Sequence, residues 1–430
     1  MKILLCVEFY FPSIGGAQEV VRQVAERLVR RGHTVTVATT ELTTRCSLLN
    51  NGVKIAEFAV AGNRVRGLKG EVDRYQSFLM ESQFDLVMFY ATQQWTFDAA
   101  CPVISKISAR KALVPCGYSN LYEPSYASYF SYLPSILRQM DVVIYHAEKY
   151  RDIDFAKSHG IHNDVVVPNG ADIDEFKVAV DTSFRESVGV DDTSIVLLTV
   201  GSLTGLKGHL ELATAYEQAS FGSRKSVLIL NGNAPGVGSK RPNLLRHVIM
   251  VVREYGWMYI VRRCLKLAKR VAGKGQRHME SLQNIVDRVN SERSALKRIV
   301  MVDLSRTELI QAYLNSDLFV FASHIEYSPL VLYEACAAGT PFLASPAGNA
   351  AEIAAWTGGG EIFKANADPK GYIKISPSDL ARHMEQLLAM PQKLNELGVR
   401  GCAASRNRFN WEAITSQYET LFYSLSKKQK

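Results

Sequence analysis

Three residues of this chain have types and spacing that invite chemistry: Glu326, Glu334 and Lys207. Glu326 and Glu334 are separated by seven residues, and Glu334 is the only charge in an otherwise apolar run from Leu330 to Ala338. A lone carboxylate on a buried helix is costly unless something pairs with it. Ligand hydroxyls would serve. A surface glutamate beside one paired with a core arginine would show the same spacing. Lys207 lies in the glycine-containing stretch 201–208, after the apolar run 194–200. A strand, a glycine loop with a lysine and a helix start together make a phosphate site. Carboxylates for hydroxyls and an anion site for phosphate point to a phosphorylated, hydroxyl-rich ligand.

The elements that must position these residues can be read around them. Asp317 to Ala322 is an apolar run of strand length. Ser328 suits an N-cap, Pro329 the first helical position and Gly339 the stop, which predicts a helix over about 329–338. Near the start, 2–7 reads as a buried strand and 9–18 as a loop containing Gly15 and Gly16. Val20, Val21, Val24, Ala25 and Leu28 recur at helical spacing up to Gly32. With a strand over 33–38 this is a βαβ unit of Rossmann type. Further strands are expected at 85–89, 111–115, 141–145 and 164–168, then at 194–200, 227–230, 298–302 and 341–344. The alternation with helical patterns predicts an α/β chain with doubly wound parallel sheets. Turn formers and acids at 168–176 place a linker at about 168–185.

At 430 residues the chain should hold two or three domains, and its 47% hydrophobic content is ample for their cores. The seven cysteines show no metal-ligand or paired spacing, which suits reduced thiols in a cytosolic protein. No secretory signal is expected, because Glu8 interrupts the first apolar run. No run approaches the roughly 18 apolar residues that a membrane span needs. Asp152/Asp154 and Asp172/Asp174 have Asp-x-Asp spacing but fall in an apparent helix and in the linker, so no metal site is assigned.

The net charge of +8 has a local origin. The segment 237–278 holds eleven Lys or Arg against the single acid Glu254, leaving the remainder slightly acidic. At 100° per residue, Arg262, Arg263, Lys266, Lys269 and Arg270 share one face, opposite Trp257, Val261, Cys264, Ala268 and Val271. Such a helix either packs its apolar stripe on its own domain or docks on an anionic membrane surface. It belongs to no recognised nucleic-acid module, so no nucleic-acid partner is expected.

The stretch Glu326-x7-Glu334, running into Glu-Ala-Cys-Ala-Ala-Gly-Thr-Pro, resembles the signature of retaining GT-B nucleotide-sugar glycosyltransferases of family 4 (glycosyl transferases group 1). The resemblance implies two Rossmann-like domains facing across a cleft. The first, an acceptor domain over 1–170, would be joined by a helix crossing back over 412–430. The donor domain would cover 183–411, with the basic insertion 237–278. It also implies that Glu326 faces the donor sugar, that Glu334 binds ribose hydroxyls, and that Ser328, Pro329, Leu330 and Val331 hold the diphosphate and sugar. Gly15 and Gly16 would lie beneath the donor phosphates and the acceptor, and Lys207 would neutralise the departing diphosphate. Ser202 stands where the family has an arginine. Cys116 stands where many members place a histidine, and His146 is a second acceptor-side candidate.

The activity so implied is sugar transfer with retention from a nucleotide-diphosphate donor to an acceptor hydroxyl, in cell-surface polysaccharide or glycolipid synthesis. It would need no cofactor and no metal. Expected partners are a nucleotide sugar, a sugar or lipid-linked acceptor and an anionic membrane surface. The expected place is the cytoplasm, peripheral on the inner face of the membrane. A GT-B nucleotide-sugar epimerase and an inactive nucleotide-sugar-binding relative are the alternatives.

Overall fold

The computed structural model describes residues 1–81, 83–232, 277–291 and 296–427. These form two compact units: Met1–Ile173 with Tyr327–Tyr333 and Ala404–Lys430, and Asp174–Glu326 with Glu334–Ala403.

In the first unit the strands are β1 (Lys2–Cys6), β2 (Thr34–Thr40), β3 (Leu49–Asn50), β4 (Val53–Phe58), β5 (Val60–Asn63), β6 (Gly67–Gly70), β7 (Leu86–Tyr90), β8 (Arg110–Val114), β9 (Val142–Tyr145) and β10 (Asp164–Val166). Eight of them form one sheet in the order β10-β9-β8-β7-β1-β2-β4-β3, while β5 and β6 make a separate hairpin. Both faces of β1 are covered, so it reads as unbroken apolar sequence rather than an alternation. Leu4 and Cys6 enter one core cluster, with Phe89, Leu113 and Trp95. Ile3 and Leu5 enter the other, with Val37, Met88 and Ile144. The helices here are α1 (Gly16–Arg30), α2 (Val72–Glu81), α3 (Trp95–Asp98), α4 (Ala127–Leu137) and α5 (Arg151–Ser158).

The second unit carries β11 (Ile195–Val200), β12 (Ser226–Asn231), β13 (Lys297–Val302), β14 (Leu318–Phe321), β15 (Phe342–Ala344) and β16 (Gly360–Ile362). They form a parallel sheet in the order β13-β12-β11-β14-β15-β16. Its helices begin with α6 (Ser183–Ser187), α7 (His209–Gln218), α8 (277–291) and α9 (Arg306–Leu314). Then come α10 (Leu330–Ala338), whose first turn belongs to the first unit, α11 (Ala350–Thr357), α12 (Pro377–Leu388) and α13 (Pro391–Asn407). The chain leaves β11 for β12 and β13, then returns to β14 on the other side of β11. The point where the winding reverses lies between β11 and β14.

The last helix, α14 (Trp411–Lys427), rejoins the first unit. Ile414, Tyr418 and Phe422 enter its core, and Arg31 of the loop after α1 pairs with Glu412 at 3.1 Å and Glu419 at 2.9 Å. Two doubly wound parallel sheets and a C-terminal helix returned to the first make this a GT-B fold.

One local expectation fails. Ser328 does not cap α10: its Oγ is buried and makes no hydrogen bond among the described residues. Its carbonyl accepts from the Asn169 amide at 3.3 Å, which holds the segment. The helix starts at Leu330 and ends where Gly339 takes φ 76°, a left-handed stop of the expected kind. The basic segment, including Arg262, Arg263, Lys266, Lys269 and Arg270, lies outside the described residues.

Candidate functional site

The loops leaving β11 and β14 meet where the winding of the second unit reverses, the usual ligand crevice of an open α/β sheet. The Leu206 carbonyl accepts from the His324 backbone N–H at 2.9 Å and from Ser323 Oγ at 3.2 Å. Gly208 takes φ 67°, and a Cβ there would fall 1.8 Å from the Ala322 carbonyl oxygen. Only glycine fits at 208. This close approach brings the side chains of Lys207 and Glu326 together as an ion pair, both partly exposed at 27% and 21%.

His324, two residues before Glu326, is fixed from two sides. Its Nδ1 meets the Ile373 carbonyl at 2.7 Å and its Nε2 meets Glu211 Oε1 at 3.2 Å. The Glu211 hydrogen bond raises the His324 pKa against burial. His209, the first residue of α7, is fully buried. Burial, then the charges of His278 and Lys207, push its pKa down to about 4, so it stays neutral. Ser202 lies on the same loop, and its hydroxyl sits 3.5 Å from that of Thr204. As Ser202 carries no charge, Lys207 faces Glu326 without the arginine that the family resemblance leads one to expect at 202.

Glu334 occupies the middle of α10. Arg306 Nη1 donates to its Oε1 at 2.6 Å, and the Tyr313 hydroxyl donates to Oε2 at 3.2 Å. Arg306 is shared with Glu175. Burial raises the Glu334 carboxyl above its usual range while Arg306 pulls it back. Burial alone would lower the Arg306 pKa, yet its two carboxylates lift it above the ordinary value. Each Glu334 oxygen retains acceptor capacity beyond its protein hydrogen bond.

In the first unit, Gly15 is extended at φ 172°, and a Cβ at Gly16 would meet nothing within 4 Å. The protein's own packing therefore does not demand glycine at 16. Cys116, in the loop after β8, is left-handed at φ 59°, and burial raises its thiol far above the usual range. It is no thiolate nucleophile.

His146, after β9, is 1% exposed. Its Nδ1 donates to the Val167 carbonyl at 2.8 Å, so its Nε2 accepts from the Tyr90 hydroxyl at 3.0 Å. Burial pushes its pKa down to about 4. Both ring nitrogens are committed, so His146 holds its surroundings together rather than offering a base. Sequence reading missed Tyr327 and noticed Asp152 only for its Asp-x-Asp spacing. The Tyr327 hydroxyl accepts from the His146 backbone N–H at 3.0 Å and bonds Asp152, whose carboxyl burial raises to about 6.

Among the described residues no group of three or more His, Cys, Asp or Glu could hold a metal ion, and no helix is long and apolar enough to cross a membrane.

Residues 14–175 match glycosyltransferase family 4, and residues 297–401 match glycosyl transferases group 1. A D-inositol 3-phosphate glycosyltransferase of Gordonia bronchialis is 26% identical over 273 residues, which is 62% of this chain and 48% of that protein. The chain spans about half the length of the curated relatives it matches. Among solved structures, sucrose-phosphate synthase of Thermosynechococcus elongatus superposes with a TM-score of 0.71 at 18% identity, covering 100% of both chains. HepE of Anabaena, solved in complex with UDP and glucose, gives 0.67 at 16% identity, over 99% of this chain and 100% of that one. At these identities the solved structures speak for the fold alone. The family matches, falling on both units and on the Glu326–Glu334 segment, establish that the chain belongs to the glycosyl transferases group 1, glycosyltransferase family 4.

Proposed function

We propose that this protein moves a sugar, with retention, from a nucleotide-diphosphate donor to an acceptor hydroxyl. The observation that carries this reading is the Lys207–Glu326 ion pair at the winding reversal of the second unit. In this reading Glu326 faces the donor sugar, and Lys207 meets the charge that develops on the departing diphosphate. Backbone groups at Ser328, Pro329, Leu330 and Val331 assist. Gly15 and Gly16 lie beneath the donor phosphates in this reading, Ser202 offers a hydroxyl, and Glu334, aimed by Arg306 and Tyr313, receives ribose hydroxyls. With lysine and helix N–H groups at the diphosphate, a metal is dispensable.

UDP serves as the first nucleotide to test, since HepE was solved with it. Synthesis of a cell-surface polysaccharide or glycolipid is the role that best suits the basic sequence around Arg262, Arg263, Lys266, Lys269 and Arg270. Those cations would hold the protein on the cytoplasmic side of an anionic membrane, near a lipid-linked acceptor. The test is a screen of UDP-, GDP- and ADP-sugars with chelator present. Slow nucleotide release from one donor, with the freed sugar keeping its anomeric configuration, is the expected result. Inversion, or neither release nor thermal stabilisation with any of the three, would contradict the reading.

A further inference from the structure

His324 joins three elements of the second unit, and its partners fix its charge. Its backbone N–H donates to the Leu206 carbonyl at 2.9 Å, and its own carbonyl accepts from the Ile373 N–H at 2.8 Å. Ile373 opens the short strand β18 (Ile373–Lys374), which pairs with β17 (Asn366–Ala367). The ring reaches in two directions. Its Nδ1 lies 2.7 Å from the Ile373 carbonyl oxygen, and its Nε2 lies 3.2 Å from Oε1 of Glu211, in the first turn of α7.

Both of these partners only accept. A carbonyl oxygen has no proton to give. Glu211 is ionised: burial raises its carboxyl, but the hydrogen bonds from His324 and from its own backbone N–H outweigh burial and hold it below the ordinary value. A neutral imidazole has one N–H, so it would leave one oxygen facing a bare nitrogen lone pair. The imidazolium donates on both sides, and its bonds are the stronger, charge-assisted kind. In keeping with this, the Glu211 hydrogen bond raises the His324 pKa, with burial opposing and the Ile373 carbonyl adding to the rise. His278 of α8 and His209 at the start of α7 face Glu211 as well. His209 is already neutral, since burial pushes its pKa down to about 4.

The elements joined by this ring carry the ion pair. Glu326 follows His324 by two residues, and Lys207 precedes Glu211 by four. Ser323 Oγ donates to the Ile325 carbonyl at 3.0 Å, which fixes the backbone up to the residue before Glu326. Lys207 is bonded to Leu206, whose carbonyl takes the His324 N–H.

We propose that His324 is a positioning residue that works as an imidazolium: by donating to Ile373 and Glu211 at once, it holds the loops of Lys207 and Glu326 where these side chains pair. This rests on the transferase reading, in which that pair handles the leaving diphosphate and the donor sugar. A proton bound with a raised pKa is lost as pH rises, so the clamp is complete at neutral pH and fails on the alkaline side.

Two measurements on the full chain test it. Long-range 1H–15N NMR of the imidazole rings reads the charge directly, the His324 signals being those missing from His324→Gln. They should show both nitrogens protonated at neutral pH. Glu211→Gln keeps an acceptor but removes the charge, and should move the His324 titration down by about one pH unit or more. Nucleotide release from the accepted donor, followed against pH, should fall on the alkaline side in the wild type. That fall should move to lower pH by the same amount in Glu211→Gln and vanish in His324→Gln, whose release is low throughout. Melting curves confirm that both variants fold. A His324 ring neutral at neutral pH, or a release profile that Glu211→Gln leaves unmoved, would overturn the proposal. No release by the wild type at any pH would sink the transferase reading and this role with it, whereas release with an unmoved profile would sink only this one.

Discussion

The Arg306 guanidinium reaches Glu334 at 2.6 Å across 28 residues of sequence and thereby fixes the one charge on an otherwise apolar helix. The same arginine binds Glu175, so two carboxylates share one cation. This pairing satisfies Glu334 before any ligand arrives and still leaves each carboxylate oxygen able to accept a ribose hydroxyl.

Replacing Arg306 with Met should therefore strand a buried carboxylate. Breaking a fully buried pair costs about 3–5 kcal/mol. The Arg306 side chain is 42% exposed, so solvent reduces the expected loss to about 1–2 kcal/mol. Chemical denaturation would measure it, and adding Glu334→Gln should restore part of the loss. A single variant as stable as the wild type would mean that the pair does not hold the helix charge in place.

Gly208→Ala tests the close approach that joins the two loops of the donor-side site. The positive φ and the overlap with the Ala322 carbonyl both oppose a methyl group. The substitution should cost more than about 1 kcal/mol. It should also reduce UDP-induced stabilisation, because Lys207 is displaced with its neighbour. Unchanged melting and unchanged UDP response would contradict the geometry at 208.

Much of this architecture was legible in the sequence. Strands such as β1, β11 and β14 are covered on both faces, so their apolar runs gave them away. Lys207 and Glu326 stood out because a charged residue in a loop beside such a strand has few structural uses. An arginine partner for one of the two glutamates was the plainer alternative in the sequence, and Glu334 has one; that it is Arg306 could not be read, because the partners are linked only through the packing of two helices. Ser328 followed the capping pattern but failed as a cap, because its segment is held through its carbonyl instead. His146 looked like a free histidine after a strand. Its partners Val167 and Tyr90 come from other elements.

His146 also yields a pH prediction. Its pKa is about 4 in the folded protein, below the ordinary 6.5. Between those values the unfolded chain binds the proton and the folded one does not, so the group's contribution is lost as pH falls. His146→Gln removes that dependence. Relative to wild type, the variant should gain about 1.4 kcal/mol per pH unit on acidification from 6.5 to 4. Denaturation curves at several pH values check this, and a constant difference would show that His146 is not held neutral.

Membrane docking by the basic segment predicts sedimentation with anionic vesicles that weakens with salt. Changing Arg262, Arg263, Lys266, Lys269 and Arg270 to Gln should remove about 1 kcal/mol of binding each. Equal partitioning on neutral and anionic vesicles would contradict docking.

The central claim is that Lys207 and Glu326 handle the leaving diphosphate and the donor sugar. Nucleotide release from the accepted donor, measured with chelator in wild type, Lys207→Ala and Glu326→Ala, tests it most directly. The account predicts release in the wild type and a loss of about 100-fold or more in each variant. Release that persisted in both variants would place the chemistry elsewhere.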